Sequence, residues 1–148
     1  MPDQKSILVV DAETGSREAT LSMLRDEKRV AIGVANGLSA LNLAQRLSFD
    51  LLLVDVFLPD ITGRTLADRV AAIQPRLKVL FTSTYSRSVL NHDLCPLGSA
   101  LLSKPFRKET LLPKVGMVLA FHRPWKSLAV PRPQVEEELH VPLDGDPA

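Results

Sequence analysis

Cysteine is almost missing from these 148 residues, Cys95 being the only one. It cannot close an internal disulfide, and no cysteine-rich zinc site can be built around it. It reads as a small packing residue. Long apolar runs are missing too, the stretches extending only four to five residues. A membrane-crossing helix needs about 20. The opening Met1-Pro2-Asp3-Gln4-Lys5 lacks the basic-then-apolar pattern of a secretory leader, so a reducing cytoplasm is the expected compartment. An excess of one charge is also lacking: 18 Lys and Arg face 17 Asp and Glu, a net +1. Phosphate-backbone binding needs a concentrated basic surface, so this balance speaks against a nucleic-acid partner. No glycine-rich phosphate loop follows any apolar run, which argues against a nucleotide- or flavin-binding enzyme. His92, His122 and His140 sit at no metal-ligand spacing and read as surface residues.

What is present is an ordinary globular composition, 45% apolar and 24% charged, at a length suited to one domain. Proline is placed unevenly. Residues 122–148 hold five of the 11 prolines and the run Glu136-Glu137-Glu138, for a net −2, while the first 121 residues carry +3. Pro131 and Pro133 block helix and central strand alike. The expected organisation is one domain over 1–121 and a Pro-rich, disordered tail over 122–148. Trp125 and Val130 would be its apolar handles if it docked on a partner.

Within 1–121 two patterns alternate. Short apolar runs occur at Ile7-Leu8-Val9-Val10, Leu51-Leu52-Leu53-Val54, Val79-Leu80-Phe81 and Ala100-Leu101-Leu102, with a weaker one at Val30-Ala31-Ile32. Runs of this length fit strands covered on both faces, as in a parallel sheet. Helical spacing appears between them. Ala19, Met23 and Leu24 mark one helix, and Leu41, Ala44 and Leu47 a second, opened by Asn36-Gly37. Leu66, Val70 and Ile73 mark a third, stopped near Pro75, and Leu111, Val115, Val118 and Leu119 a last one with Pro113 in its first turn. A further helix is expected around 86–93, where the pattern is weakest. The order strand–helix, five times over, predicts an α/β fold: a doubly wound five-stranded parallel sheet with helices on both faces.

In such folds a site forms beyond the carboxyl ends of the strands. Those positions hold Asp11-Ala12-Glu13, then Asp55 followed by Val56-Phe57-Leu58-Pro59-Asp60-Ile61-Thr62-Gly63, then Thr82-Ser83-Thr84, then Lys104-Pro105-Phe106. Two carboxylates, a hydroxyl and an ammonium on one rim suit phosphoryl chemistry on a carboxylate. Acids can hold a hard Mg²⁺, one can act as nucleophile, and the hydroxyl and ammonium can bind phosphoryl oxygens.

From about Ser6 to Ala120 these residues resemble the receiver domain of two-component response regulators, in particular the single-domain chemotaxis type. Four segments carry the likeness: Ile7-Leu8-Val9-Val10-Asp11; Phe49-Asp50-Leu51-Leu52-Leu53-Val54-Asp55 with Leu58-Pro59 and Gly63; Leu77-Lys78-Val79-Leu80-Phe81-Thr82-Ser83; and Lys104-Pro105-Phe106. The resemblance implies a flavodoxin-like fold with Asp55 as phosphoacceptor, forming an aspartyl phosphate with a group carried by a histidine kinase or phosphotransfer protein. It implies Mg²⁺ held by Asp11, Asp55 and the backbone carbonyl of Phe57. Ser83 takes the place of the switch hydroxyl, with Thr82 as the alternative register, and Lys104 would pair with a phosphoryl oxygen across a cis Lys104-Pro105 bond. The domain would be a signalling module, not an enzyme. Its output would be contact with a downstream protein through the face of the fourth and fifth helices, with Met117 and Phe121 available to a homodimer.

One position departs from the family. A second acid, the direct metal ligand, is usual where this chain has Ala12. Metal affinity should fall by an order of magnitude or more, unless Glu13 turns back to compensate. Leu101 stands where many receivers have an aromatic switch residue, and Phe57 and Tyr85 flank the expected phosphoryl position, where they would hinder an attacking water. Two readings follow. One is an active phosphoacceptor; the other is a pseudo-receiver, a constitutive docking or dimerisation module whose chemistry Ala12 has impaired.

Overall fold

The computed structural model describes residues 4–128. Five strands form one parallel sheet: β1 (Ser6–Val10), β2 (Val30–Val34), β3 (Leu51–Asp55), β4 (Lys78–Ser83) and β5 (Ala100–Ser103), in the order β2-β1-β3-β4-β5. Four helices accompany them: α1 (Thr14–Asp26), α2 (Gly37–Ala44), α3 (Gly63–Ile73) and α4 (Lys108–Phe121). Side chains alternate across each strand, and here both faces are covered. Ile7, Val9, Leu51, Leu53 and Leu80 pack with Leu21 and Leu24 of α1 and with Leu111, Val115 and Val118 of α4. Leu8, Val10, Leu52, Val54 and Phe81 pack on the opposite side with Ala40 and Ala44 of α2 and with Leu66, Ala67 and Val70 of α3. This double burial is why the strands read as unbroken apolar runs. Pro113 lies inside α4, at the sixth of its 14 residues. Among the described residues no helix is long and apolar enough to cross a membrane.

The helix expected around 86–93 is not formed. Between β4 and β5 the chain runs as separate turns, closed by Val89 N–H on Ser86 O, Leu90 N–H on Arg87 O and Leu94 N–H on Asn91 O. Ser86, Ser88, Asn91 and Asp93 offer the backbone local alternatives to a helix, as Asn91 does by accepting from Leu94 N–H at 3.0 Å. Gly98, at φ +87°, closes the segment in a conformation that only glycine adopts freely. Leu90 and Cys95 are its buried anchors. Arg87 ties its two ends together by donating to Ser99 O at 2.6 Å. The face expected to be built from two helices is therefore half helix, α4, and half turns, residues 84–99.

The expected domain boundary after 121 falls too early. Residues 122–128 turn back over the sheet, and Trp125 is buried among Phe81, Leu90 and Cys95. An apolar face that lacks a helix needs another cover, and this ring supplies it. The remainder of the tail, with Pro131, Pro133, His140 and the Glu136-Glu137-Glu138 run, lies outside the described residues.

Candidate phosphoacceptor site

Parallel pairing brings the carboxyl ends of β1, β3, β4 and β5 to one rim, and the expected residues meet there. Asp11 follows β1, Asp55 ends β3 and Lys104 follows β5. The Lys104 ammonium lies 2.9 Å from Asp11 Oδ2 and 2.9 and 3.0 Å from the two oxygens of Asp55. The Lys104-Pro105 bond is cis. One cation thus bridges two carboxylates whose side chains are only 5% and 16% exposed.

The two acids are held differently. Asp11 accepts from the Ser16 hydroxyl at 2.6 Å and from Glu13 N–H at 3.0 Å. Burial alone would lift its carboxyl, but Ser16, Lys104 and the Glu13 amide overcome that and hold it below its ordinary value. Burial also dominates at Asp55. There it keeps the carboxyl above the ordinary value, against the Thr82 hydroxyl and Lys104. Burial works against the Lys104 charge, yet the bonds and charges of Asp55 and Asp11 raise its pKa. Asp55 therefore carries the charge less firmly held by its surroundings.

Glu13 and Thr82 complete the surroundings of the two acids. The Glu13 carboxylate accepts from Ser16 N–H at 2.6 Å and caps α1. Its Oε1 is committed to the helix end, so the compensation for Ala12 is not made in this arrangement. Thr82 is the residue whose hydroxyl donates to Asp55 Oδ1. Ser83 lines the same cavity, but its hydroxyl accepts from Tyr85 N–H at 2.8 Å. Strand register supplies the reason. Asp55 pairs with Thr82 in β3 and β4, so their side chains leave the sheet on one face, that of Leu53 and Leu80.

A cavity of about 130 Å³ opens beside Asp55, lined by Val56, Phe57, Thr82, Ser83, Thr84, Tyr85 and Lys104. Phe57 and Tyr85 stand edge to face above it, 5.9 Å apart at 81°, and both are half exposed. Gly63 is needed behind it. A Cβ there would run into the backbone carbonyl of Asp55, and Gly63 N–H donates to Val56 O at 2.8 Å. Asp60 ties the loop down by accepting from Gly37 N–H and Leu38 N–H at the start of α2, both at 2.9 Å. Among the described residues no group of three or more acids, histidines or cysteines could hold a metal. Asp11 and Asp55 alone supply carboxylates.

Comparison with known proteins agrees with the geometry. The family described as response regulator receiver domain matches residues 7–116. The response regulator receiver protein CpdR of Brucella abortus is 31% identical over 116 residues, covering 78% of this chain and 97% of that one. Sporulation initiation phosphotransferase F of Bacillus subtilis is 27% identical over 103 residues, or 69% and 83% of the two chains. The crystal structure of a CheY-like receiver domain protein from Methanospirillum hungatei superposes with a TM-score of 0.69 at 28% identity, covering 79% and 94%. With its sheet order, its bridged acids and these relatives taken together, the chain belongs to the response regulator receiver domain family of two-component systems.

Proposed function

We propose that Asp55 accepts a phosphoryl group from a phosphohistidine, borne by a histidine kinase or a phosphotransfer protein in the cytoplasm. The observation that carries this reading is the Asp55 carboxylate at a small cavity with the Lys104 ammonium on both its oxygens. An Asp55 oxygen attacks phosphorus as the phosphorus–nitrogen bond breaks. The electron pair leaves with the imidazole, which takes up a proton, and an acyl phosphate forms. Lys104 is placed to neutralise phosphoryl oxygens, and the Thr82 and Ser83 hydroxyls are placed to donate to them. The domain is modified once per signal and does not turn over a substrate.

Magnesium fits these residues in reduced form. Mg²⁺ binds through one or two carboxylates and keeps several waters, and Asp11, Asp55 and the Phe57 carbonyl can provide that set without a ligand from Ala12. When bound, the ion supplies positive charge to the transferring phosphoryl oxygens. The added charge of the acyl phosphate would then bias the surface made by α4 and residues 84–99 toward a downstream protein. Met117 and Phe121 on α4 and Tyr85, Val89 and Leu97 on the turns are the exposed large apolar groups there.

A pseudo-receiver is the second reading, favoured by Ala12 and by a Lys104 bridge that already neutralises both acids. Labelling separates the two. With a small phosphodonor and Mg²⁺, the wild type should take up label and Asp55→Asn should not. If only Ala12→Asp accepts label, the docking module is the correct reading.

A further inference from the structure

We infer that Trp125 and residues 122–128 form a strap that positions β4 and α3 around Asp55, and that the strap shifts when the state of Asp55 changes. Its attachments carry the inference. The Trp125 backbone N–H donates to Leu77 O, just before β4, at 2.8 Å. The indole N–H donates to Asp68 Oδ1 on α3, also at 2.8 Å. The indole ring stands edge-on to Phe81 in β4, at 5.5 Å and 74°. Both clasped elements reach the acceptor. Phe81 is followed directly by Thr82, whose hydroxyl rests on Asp55. α3 begins at Gly63, packed without a side chain against the Asp55 carbonyl.

The strap also has room to move. A cavity of about 240 Å³ lies between it and α3, lined by Arg64, Asp68, Ala71, Trp125, Lys126 and Leu128. Close-packed side chains transmit displacement, whereas a void on one side lets a neighbour yield. Trp125 is held on both sides, by Leu77 O and Phe81 at β4 and by Asp68 on α3, with the cavity beside it. A change of partner at Thr82 that displaces the β4 backbone is passed to Phe81 on the other face, and from its ring to the indole of Trp125. No helix covers this part of the sheet, so the strap takes that place, and the chain continues from Leu128 into residues 129–148.

Trp125 is the only tryptophan, so emission from the full-length protein reports this one position. Label uptake from a small phosphodonor with Mg²⁺ and indole emission are followed in the same sample. Emission should change in step with label, and Thr82→Val should shift emission with no phosphodonor present. Full labelling with unchanged emission, or an unchanged Thr82→Val spectrum, overturns the strap while leaving the phosphoacceptor reading intact. The inference rests on that reading for its phosphoryl arm alone. If no label enters even Ala12→Asp, that reading fails, and the Thr82→Val spectrum decides the strap. In the reverse direction, Trp125→Phe keeps a ring against Phe81 and loses the bond to Asp68. It should shift the backbone amide NMR resonances of Asp55 and Thr82, which a purely stabilising residue would leave in place. If Trp125→Phe does not fold, Asp68→Ala serves the same test, and unmoved Asp55 and Thr82 resonances in the folded variant refute the positioning role.

Discussion

The unequal holding of the two acids makes their neutral replacements differ in sign. Asp11 receives three donors within 3.0 Å: the Ser16 hydroxyl, the Lys104 ammonium and the Glu13 amide. Asn at this position keeps one acceptor oxygen and turns an amide nitrogen toward groups that are themselves donors. Losing hydrogen bonds to a charge costs about 1.5–3 kcal/mol, so Asp11→Asn should destabilise by about 2–3 kcal/mol at neutral pH. Asp55 is different, because burial makes its ionised form costly. Asparagine there keeps an oxygen for Thr82 and removes a charge the surroundings resist. Asp55→Asn should lie close to wild type, on the stabilising side, because the charge it removes is one that burial penalises. The pH dependence follows with opposite signs. The folded Asp11 carboxyl lies below the ordinary 3.8, so its contribution is full above that value and is lost as pH falls through the depressed one. The folded Asp55 carboxyl lies above 3.8, so its contribution is present below that value and is lost as pH rises through the raised one. Urea denaturation of wild type and both variants from acid to neutral pH, without Mg²⁺, measures this. Equal destabilisation by both substitutions at neutral pH would refute the division of charge between the two acids.

Other substitutions probe other parts of the site. Ala12→Asp adds a charge beside the metal position, and after the cost of dehydration it should tighten Mg²⁺ binding at least about tenfold in a titration followed by NMR, near 1.4 kcal/mol. Glu13→Ala removes the cap of α1 and should cost about 1 kcal/mol in urea denaturation, with Mg²⁺ affinity unaltered. A large fall in that affinity would mean the carboxylate leaves the helix for the ion. Gly63→Ala forces a methyl group against the Asp55 carbonyl, and about 1–3 kcal/mol of lost stability with slower labelling is expected. Phe57→Ala and Tyr85→Ala open the cavity to water, so both should shorten the lifetime of the labelled protein. A wild-type half-life of seconds would show that the aromatic pair does not hinder attack.

The parts of the fold that were legible in the sequence are those where local residues and global position impose the same demand. Leu51 to Val54 must be apolar throughout because helices cover both faces, so the run announces a central parallel strand. Asp11, Asp55 and Lys104 were found because chemistry in this topology can sit only just past such runs. The choice between Thr82 and Ser83 needed something no single segment carries, the alignment of β4 with β3. Glu13 was ambiguous because one carboxylate could serve a helix end or an ion, and only the position of Ser16 N–H decides between them.

The turns at 84–99 and the strap at 122–128 were missed together, and for one reason. The α3 side of β4 has to be covered, but the fold does not specify which part of the chain must cover it. Ser86, Asn91 and Pro96 weaken a helix at the usual place, leaving Leu90 and Cys95 as anchors too small to close the face alone. Trp125 supplies the missing area from beyond the last helix, behind Pro124, where proline content reads as a tail. Aromatic burial on this scale is worth several kcal/mol and offsets part of the chain entropy of the seven ordered residues, to which a second hold on the segment adds. The bonds from Trp125 N–H to Leu77 O and from the indole to Asp68 provide that second hold. The same requirement predicts that Leu90 and Trp125 are energetically coupled. Truncating both to Ala should cost less than the sum of the single losses, because each single substitution already opens the same face.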